Sequence, residues 1–386
     1  MQIRMNYIKR FTLIISLNLV IMLFGNATYC QEKNFQLIGK IKGIDTGLIK
    51  INFLLTDSSI KRSFTTKIKK GKFTILGKIP HPMRGYLILN GSLISDDIFI
   101  EFGKQQVYFD ATTKKSFYQS MKVTGSSVND EFINKYQKLL QPFYDELDNC
   151  YETLDSLNKL FTDEKSDIIF AEPCKNFDMA VRNLDSVKRS YILKHSSSYV
   201  SLWGLYTSIW SIDNLEFVAE SFDFIDSRVK NSILGKWMRK RIEVQKAFFN
   251  GKLFPVMIIS DSIEKRIPIQ EAIKGKFTLV DFWFSHCGPC IAQFPAMRKL
   301  YAKYKDVGFD VIGISIDNTA NKQDWVNAIK KHDLKWKQYW DADGKEAGRF
   351  MFDTYPTSFL LDSNGRIIKK NIILEELEIL LAENLK

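Results

Sequence analysis

Cysteine is scarce in this 386-residue chain, with five in all. That is too few for a disulfide-scaffold protein and too few for a string of zinc modules. The one C-x-x-C run has no second Cys pair and no nearby His-x-x-x-His beside it, so a four-ligand zinc site is not expected. Internal repeats and long low-complexity stretches are absent. The N-terminal apolar run is only 14 residues, Phe11–Phe24, short of the roughly twenty that cross a hydrocarbon core. Acidic excess is also missing: 55 Lys+Arg against 44 Asp+Glu gives +11. The basic residues read as interspersed with acidic ones, a solvated surface, and no nucleic-acid partner is expected. What is present is globular material, 45% hydrophobic and 26% charged, long enough for two or three domains.

Arg4, Lys9 and Arg10 precede the apolar run, and no acidic residue appears before Glu32. This is a charged n-region followed by an h-region, an export signal. Thr28 and Cys30 fill the small-residue positions before a cut at Gln31. Lipid modification at Cys30 and an uncleaved anchor are the alternatives, though Tyr29 is bulky for the position before a lipidated cysteine. Removal of residues 1–30 leaves 52 basic against 44 acidic residues, +8. An exported chain meets an oxidising compartment in which disulfides persist.

Three segments follow. Residues 31–128 read as β: Leu48–Phe53, Ser63–Ile68, Phe73–Ile79, Tyr86–Leu89 and Asp97–Phe102, separated by turns at Lys69-Lys70-Gly71, Asn90-Gly91 and Gly103-Lys104. This spacing suggests a small antiparallel sandwich or barrel, and His81 beside Pro82 reads as a loop residue. Residues 129–252 read as helical, with Phe132, Tyr136, Leu139, Leu140 and Phe143 near a 3.6 period and Ser197-Ser198-Tyr199-Val200 resembling a helix start with serine as cap. Cys150 and Cys174 lie 24 residues apart here, either bridged across a helical hairpin or two independent thiols, and His195 reads as a helix-end residue. Residues 253–386 alternate β and α. Strand Phe277–Phe284 leads to a helix from about Cys290, strand Phe309–Ile316 and helix Gln323–His332. Strands Thr357–Asp362 and Arg366–Lys370 and helix Glu375–Asn384 complete the segment.

The chemistry lies at Cys287-Gly288-Pro289-Cys290. Because the motif follows a hydrophobic strand, Cys287 is expected at a helix N-terminus, where unpaired N–H groups and the helix dipole stabilise a thiolate. The expected consequence is a Cys287 pKa lowered from about 8.5 to around 7. Cys290, one turn in, is placed to resolve a mixed disulfide.

Thr278-Leu279-Val280-Asp281-Phe282-Trp283, the C-G-P-C motif and Pro295 resemble thioredoxin in residue type and spacing. So do Tyr355-Pro356-Thr357, Phe359-Leu360-Leu361-Asp362 and Asn364-Gly365, which look like that family's cis-proline strand and hairpin. The order of elements is also that of thioredoxin. The preamble Phe254-Pro255 to Lys276, and Gly313-Ile314-Ser315-Ile316-Asp317, are more like the exported TlpA/ResA branch. The upstream β and helical segments loosely resemble multidomain TlpA-like proteins of Gram-negative bacteria. The fold class is therefore multidomain α and β, with a C-terminal thioredoxin-like domain, an N-terminal β-sandwich-like domain and helices between.

The resemblance implies that Cys287 is the attacking thiol and Cys290 the resolving one. Asp281 is the buried carboxylate that accepts the Cys290 proton through water, its pKa raised by desolvation between Leu279 and Trp283. Pro356 is implied to be cis, with Tyr355 offering backbone groups to an extended substrate and Trp283 packing beneath the motif. Two departures stand out. His286 replaces the usual Trp before the first cysteine, either stabilising the thiolate or standing as an exposed rim residue. Gln293 stands where TlpA/ResA proteins often carry Glu, which leaves acid–base work to Asp281.

These readings lead to an exported, periplasmic or cell-envelope thiol:disulfide oxidoreductase, a reductase of protein disulfides that needs no cofactor and no metal. Gly288-Pro289 favours a reducing poise, with thioredoxin at roughly −270 mV as reference. Its partners are protein disulfide or dithiol clients and a membrane-bound electron donor, with peripheral or lipid anchoring as a further option. The alternatives are a disulfide donor or isomerase, a redox-sensing envelope binding protein, and a peroxidase. The last is disfavoured because Trp283-Phe284-Ser285-His286 carries no proline ahead of Cys287.

Overall fold

The computed structural model describes residues 33–58, 61–93, 95, 97–112, 121–160, 167–209, 215–261 and 263–385. The export-type segment 1–30, with the cleavage and lipidation readings at Cys30, lies outside the described residues. The chain divides into two compact units, residues 1–131 and 132–386.

In the first unit the strands are β1 (Phe35–Lys42), β2 (Thr46–Phe53), β3 (Ser63–Lys69), β4 (Lys72–Gly77), β5 (Met83–Leu89), β6 (Ser92–Leu93), β7 (Ile98–Ile100), β8 (Gly103–Asp110) and β9 (Lys122–Thr124). They form one curled sheet in the order β6-β5-β2-β3-β4-β1-β8-β9, with β7 on β5. Neighbours are antiparallel apart from the parallel pair β1–β8. Period-2 alternation sends Leu37, Ile41, Ile49, Ile51, Phe73 and Ile75 to one buried face. The turns at Lys70-Gly71 and Asn90-Gly91 have positive φ at both residues, 49° and 70°, 49° and 89°. That geometry matches the twist of the strands it joins.

The run Asp97–Phe102 is not one strand. The chain turns at Glu101 and Phe102, and Gly103-Lys104, expected as a turn, opens β8. Gln105 makes this corner: fully buried, it accepts the Glu101 N–H (2.9 Å) and donates to the Phe99 carbonyl (2.9 Å). A polar residue occupies an inward slot because it satisfies the backbone that the corner leaves unpaired.

A wide helical turn, Glu131–Gln137, begins on the last residue of the first unit and leads into the second unit's α1 (Lys138–Leu160), followed by α2 (Asp167–Lys194), α3 (Tyr199–Ser208), α4 (Leu215–Phe224) and α5 (Ile233–Gln245). Phe132, Tyr136 and Leu140 are buried as their spacing requires, whereas Leu139 is exposed. Ser198 caps α3, its side chain accepting the Val200 N–H at 2.9 Å. Cys150 is a half-buried free thiol on α1, and the Cys174 side chain lies outside the described residues.

The remaining elements are β10 (Ile258–Ser260), β11 (Arg266–Pro268), β12 (Phe277–Trp283), α6 (Gly288–Tyr304), β13 (Phe309–Ser315), α7 (Lys322–Lys331), β14 (Lys337–Trp340), β15 (Thr357–Asp362), β16 (Ile367–Lys370) and α8 (Leu374–Asn384). The sheet runs β11-β10-β14-β13-β12-β15-β16, with β12, β13 and β14 parallel and the rest antiparallel. The central strand β12 is buried on both faces, as parallel strands covered by helices are. Leu279 and Trp283 face one core with α6, α7 and α8; Val280 and Phe282 face the other.

Phe248, just after α5, inserts into that second core. Its ring lies 4.9–5.6 Å from those of Phe254, Phe350, Phe352 and Phe359. The helices and the mixed sheet therefore share packing within one unit.

Candidate active site

The hydrophobic strand β12 delivers the chain to the N-terminus of α6, and Cys287 is its N-cap residue. The Cys287 Sγ accepts the Cys290 N–H at 3.2 Å, one of the backbone donors that the first helical turn leaves without a partner. Pro289 sits in that first turn, where a missing N–H costs nothing. Cys287 and Cys290 are joined as a disulfide with Cα atoms 5.3 Å apart, and they are only 3% and 1% exposed.

The loop before Cys287 is held from outside the motif. Asp317, buried after β13, accepts the Ser285 N–H (2.9 Å) and the Ser285 hydroxyl (2.7 Å), and the Ser315 hydroxyl donates to it at 2.7 Å. The Ile316 N–H donates to the Trp283 carbonyl (2.9 Å), and the Cys287 N–H to the Phe284 carbonyl (3.0 Å).

Asp281 lies on β12, paired with Gly313 on one side and Ser358 on the other, on the face that carries Leu279 and Trp283. It is 3% exposed, and burial pushes its carboxyl up to about 7. The same face holds Trp283, fully buried, whose ring meets Phe294 of α6 edge-on at 5.2 Å. Trp283 Nε1 donates to Gln338 Oε1 on β14 at 3.1 Å. The Gln338 amide fills the space over Gly313, where a Cβ would fall 2.3 Å from Oε1. Its Nε2 is buried with no partner among the described residues.

The Tyr355–Pro356 peptide bond is cis. The Tyr355 hydroxyl donates to the Phe352 carbonyl (3.0 Å), and its ring meets Phe284 edge-on at 5.9 Å. Burial, with the Asp341 and Asp353 carboxylates nearby, pushes its phenol up to about 12. Arg241 of α5, 4% exposed, forks onto Asp353 at 2.6 and 2.9 Å, which ties the helices to the loop before Pro356. His286 is exposed, and its Nε2 lies 3.2 Å from Asp324 Oδ2 on α7. Gln293 lies on the exposed side of α6.

Cys287, Cys290 and Trp283 thus share one buried cluster, with Tyr355 packed against it, and Asp281 lies on β12 between Leu279 and Trp283 of that cluster. Ser285, Asp317, Gln338 and the Arg241–Asp353 pair were not singled out from the sequence as site residues. For Asp317 a signal existed, since it ends the run Gly313–Asp317 already picked out; Gln338 and Arg241 had none, because strand register and helix docking bring them in.

Residues 250–377 match the Redoxin family model, and residues 35–132 match a domain of unknown function, DUF4369. The thiol-disulfide oxidoreductase ResA of Bacillus cereus is 34% identical over 122 residues, which cover 32% of this chain and 69% of that protein. ResA of Bacillus subtilis is 26% identical over 119 residues, 31% of this chain and 65% of that protein. Among solved structures, the thioredoxin domain of a thiol-disulfide oxidoreductase from Bacteroides vulgatus is 27% identical, covering 36% of this chain and 99% of that one, with a TM-score of 0.33.

Proposed function

This chain belongs to the thioredoxin-superfamily redoxins, broadly homologous to ResA-type thiol-disulfide oxidoreductases, and on that footing we propose that it is an exported reductase of protein disulfides. The observation that carries the reading is the pairing of roles at the start of α6. Cys287 caps the helix with its sulfur on a backbone N–H, and Cys290 lies buried one turn behind.

In the forward direction the Cys287 thiolate attacks one sulfur of a client disulfide. A Cys287–client disulfide forms and the client's other sulfur leaves as a thiolate, which takes up a proton. Cys290 then gives its proton to Asp281 through water and attacks the Cys287 sulfur. The Cys287–Cys290 disulfide forms, and the client leaves with both cysteines reduced. Two electrons pass from the dithiol to the client, and a membrane-bound dithiol donor restores the pair. Asp281 suits its part because a carboxyl held near pH 7 by burial both accepts and returns a proton at ambient pH. Pro356 and Tyr355 offer an extended client its backbone partners, Trp283 supports the motif from below, and His286 lies on the rim beside it. Export is supported by the charged and apolar leader of residues 4–24.

The test is a redox titration of the purified chain against glutathione, together with a Cys290→Ser trap. A potential well below that of glutathione and client adducts that depend on Cys287 are expected. A potential near that of a strong oxidant such as DsbA, about −120 mV, would make the protein a disulfide donor instead.

A further inference from the structure

The first unit carries a feature that the redox reading does not use. Between Phe35 and Lys78 there are ten Lys or Arg and two Asp, a net +8. The residues from Ile79 onward hold 41 basic and 41 acidic side chains. Apart from the +3 of residues 1–34, the basic excess is therefore not interspersed, as composition suggested, but confined to β1–β4 and their turns.

Strand register gathers it further. Lys40 of β1 stands directly opposite Lys72 of β4, and Lys72 directly opposite Lys69 of β3. Three like charges form a row across three strands, an arrangement that destabilises a sheet by mutual repulsion. Lys67 lies two residues along on the same face, opposite Leu48 of β2. All four lysines are exposed, and among the described residues none has a carboxylate partner. The neighbouring Lys42 is balanced by Asp110 at 3.0 Å. Two large apolar side chains share this outward face, Leu48 at 51% and Leu76 at 41% exposure.

We propose that this face docks on an anionic phospholipid surface. The row is built of lysine alone. Ammonium groups are point charges without the planar fork that guanidinium uses to read individual phosphates or bases, so they suit a diffuse field better than a shaped partner. Leu48, opposite Lys67, and Leu76, further along β4 from Lys72 on the same outward face, can bury apolar area in the headgroup boundary while the ammonium groups stay hydrated. A soluble polyanion gains nothing from those leucines.

The test is co-sedimentation of the chain spanning 31–386, which contains every described residue, with phosphatidylcholine vesicles made with and without phosphatidylglycerol. Binding is expected only to the anionic vesicles and should weaken as salt rises. Lys40→Gln, Lys69→Gln and Lys72→Gln together should weaken it about 100-fold, each lysine near such a surface contributing about 1 kcal/mol. Leu48→Ser with Leu76→Ser should weaken vesicle binding and leave retention on heparin unchanged. Disulfide reductase activity and unfolding midpoint serve as folding controls, and the lysine variant should keep the activity and match or exceed the parent's midpoint, since it relieves repulsion across the sheet. Equal binding to both vesicle types, a lysine variant that binds like the parent, or retention on heparin with no vesicle binding each overturn the proposal. The last result would reassign the face to a soluble polyanion.

Discussion

Replacing Asp281 with asparagine removes the one carboxyl on the inner face of β12, and the structure sets the size of the effect. In the folded chain burial holds this group up to about 7, against 3.8 when free. Between those values the native state keeps a proton that the unfolded chain has released. Stability therefore falls as pH rises through that window, by about 1.4 kcal/mol per pH unit for one proton. The contribution is fully present below about pH 4 and lost above about pH 7, so the ceiling is about 4 kcal/mol. Asp281→Asn has no proton to lose. Its unfolding free energy relative to the parent should rise by up to about 4 kcal/mol between pH 4 and pH 8. Burying an amide adds a constant offset, so the change with pH is the informative quantity.

The assay is denaturant unfolding of the oxidised chain, in which Cys287 and Cys290 do not titrate. Tryptophan fluorescence reports the second unit alone, because all seven tryptophans lie in residues 132–386. Asp310 and Asp341 are also raised by burial, but they titrate in both proteins and cancel in the difference. Parallel pH curves for parent and variant, differing by less than about 1 kcal/mol over the range, would refute the desolvation argument. With it would go the claim that Asp281 accepts the Cys290 proton. If the argument holds, the variant should also slow resolution by Cys290 while leaving the first attack by Cys287 unchanged.

Asp317→Ala deletes a buried acceptor of three hydrogen bonds and should cost about 3 kcal/mol. It should also shift the reduction potential, because the Ser285 loop before Cys287 loses its tether; an unchanged unfolding midpoint would sink this reading. Gly313→Ala drives a methyl into the Gln338 amide and should cost about 1–3 kcal/mol with a change in tryptophan emission. Adding Gln338→Ala should recover part of that loss, and no recovery would mean that the strain lies elsewhere. Arg241→Met leaves Asp353 without its fork and should destabilise the second unit by about 2 kcal/mol, measured by the same unfolding assay. Equal stability of variant and parent would show that the pair does not tie α5 to the Pro356 loop.

The parts of this molecule that were legible in the sequence are those written in local periods. Phe277–Phe284 could be placed as a covered strand because it is apolar except at Thr278 and Asp281, and the observed strand Phe277–Trp283 is buried from Thr278 onward. Ser197-Ser198 announced a helix start because a serine cap is a local interaction with the next turn, and Ser198 makes it. Lys70-Gly71 and Asn90-Gly91 announced hairpins because only certain residues tolerate positive φ twice in succession. Asp281 could be marked as desolvated because alternation puts it between Leu279 and Trp283. Conversely, Ser285 with Asp317 spans 32 residues, Trp283 with Gln338 spans 55 and Arg241 with Asp353 spans 112. No local period encodes such contacts. They follow from strand order and helix docking, which one sequence does not state.

Charge shows the same division in a sharper form. Summed over the chain, the +11 resembles a solvated basic surface, and counted in windows the lysines of β1–β4 alternate with apolar residues as any half-buried strand does. Alternation alone places Lys40, Lys67, Lys69 and Lys72 on outward faces, but whether those faces coincide depends on pairing. A one-residue slip of β4 against β1 would set Lys72 beside an inward position and dissolve the row. The observed register, Lys40 with Lys72 and Lys72 with Lys69, converts a compositional excess into a surface with a direction. Inward packing fixes that register, because Leu37 must meet Ile75 and Gly39 must meet Phe73. Gly39 has no room for a side chain there, since a Cβ would fall 1.8 Å from the Phe73 ring. The apolar core thus holds the like charges together against their repulsion, and the basic face is a consequence of how the other side of the sheet packs.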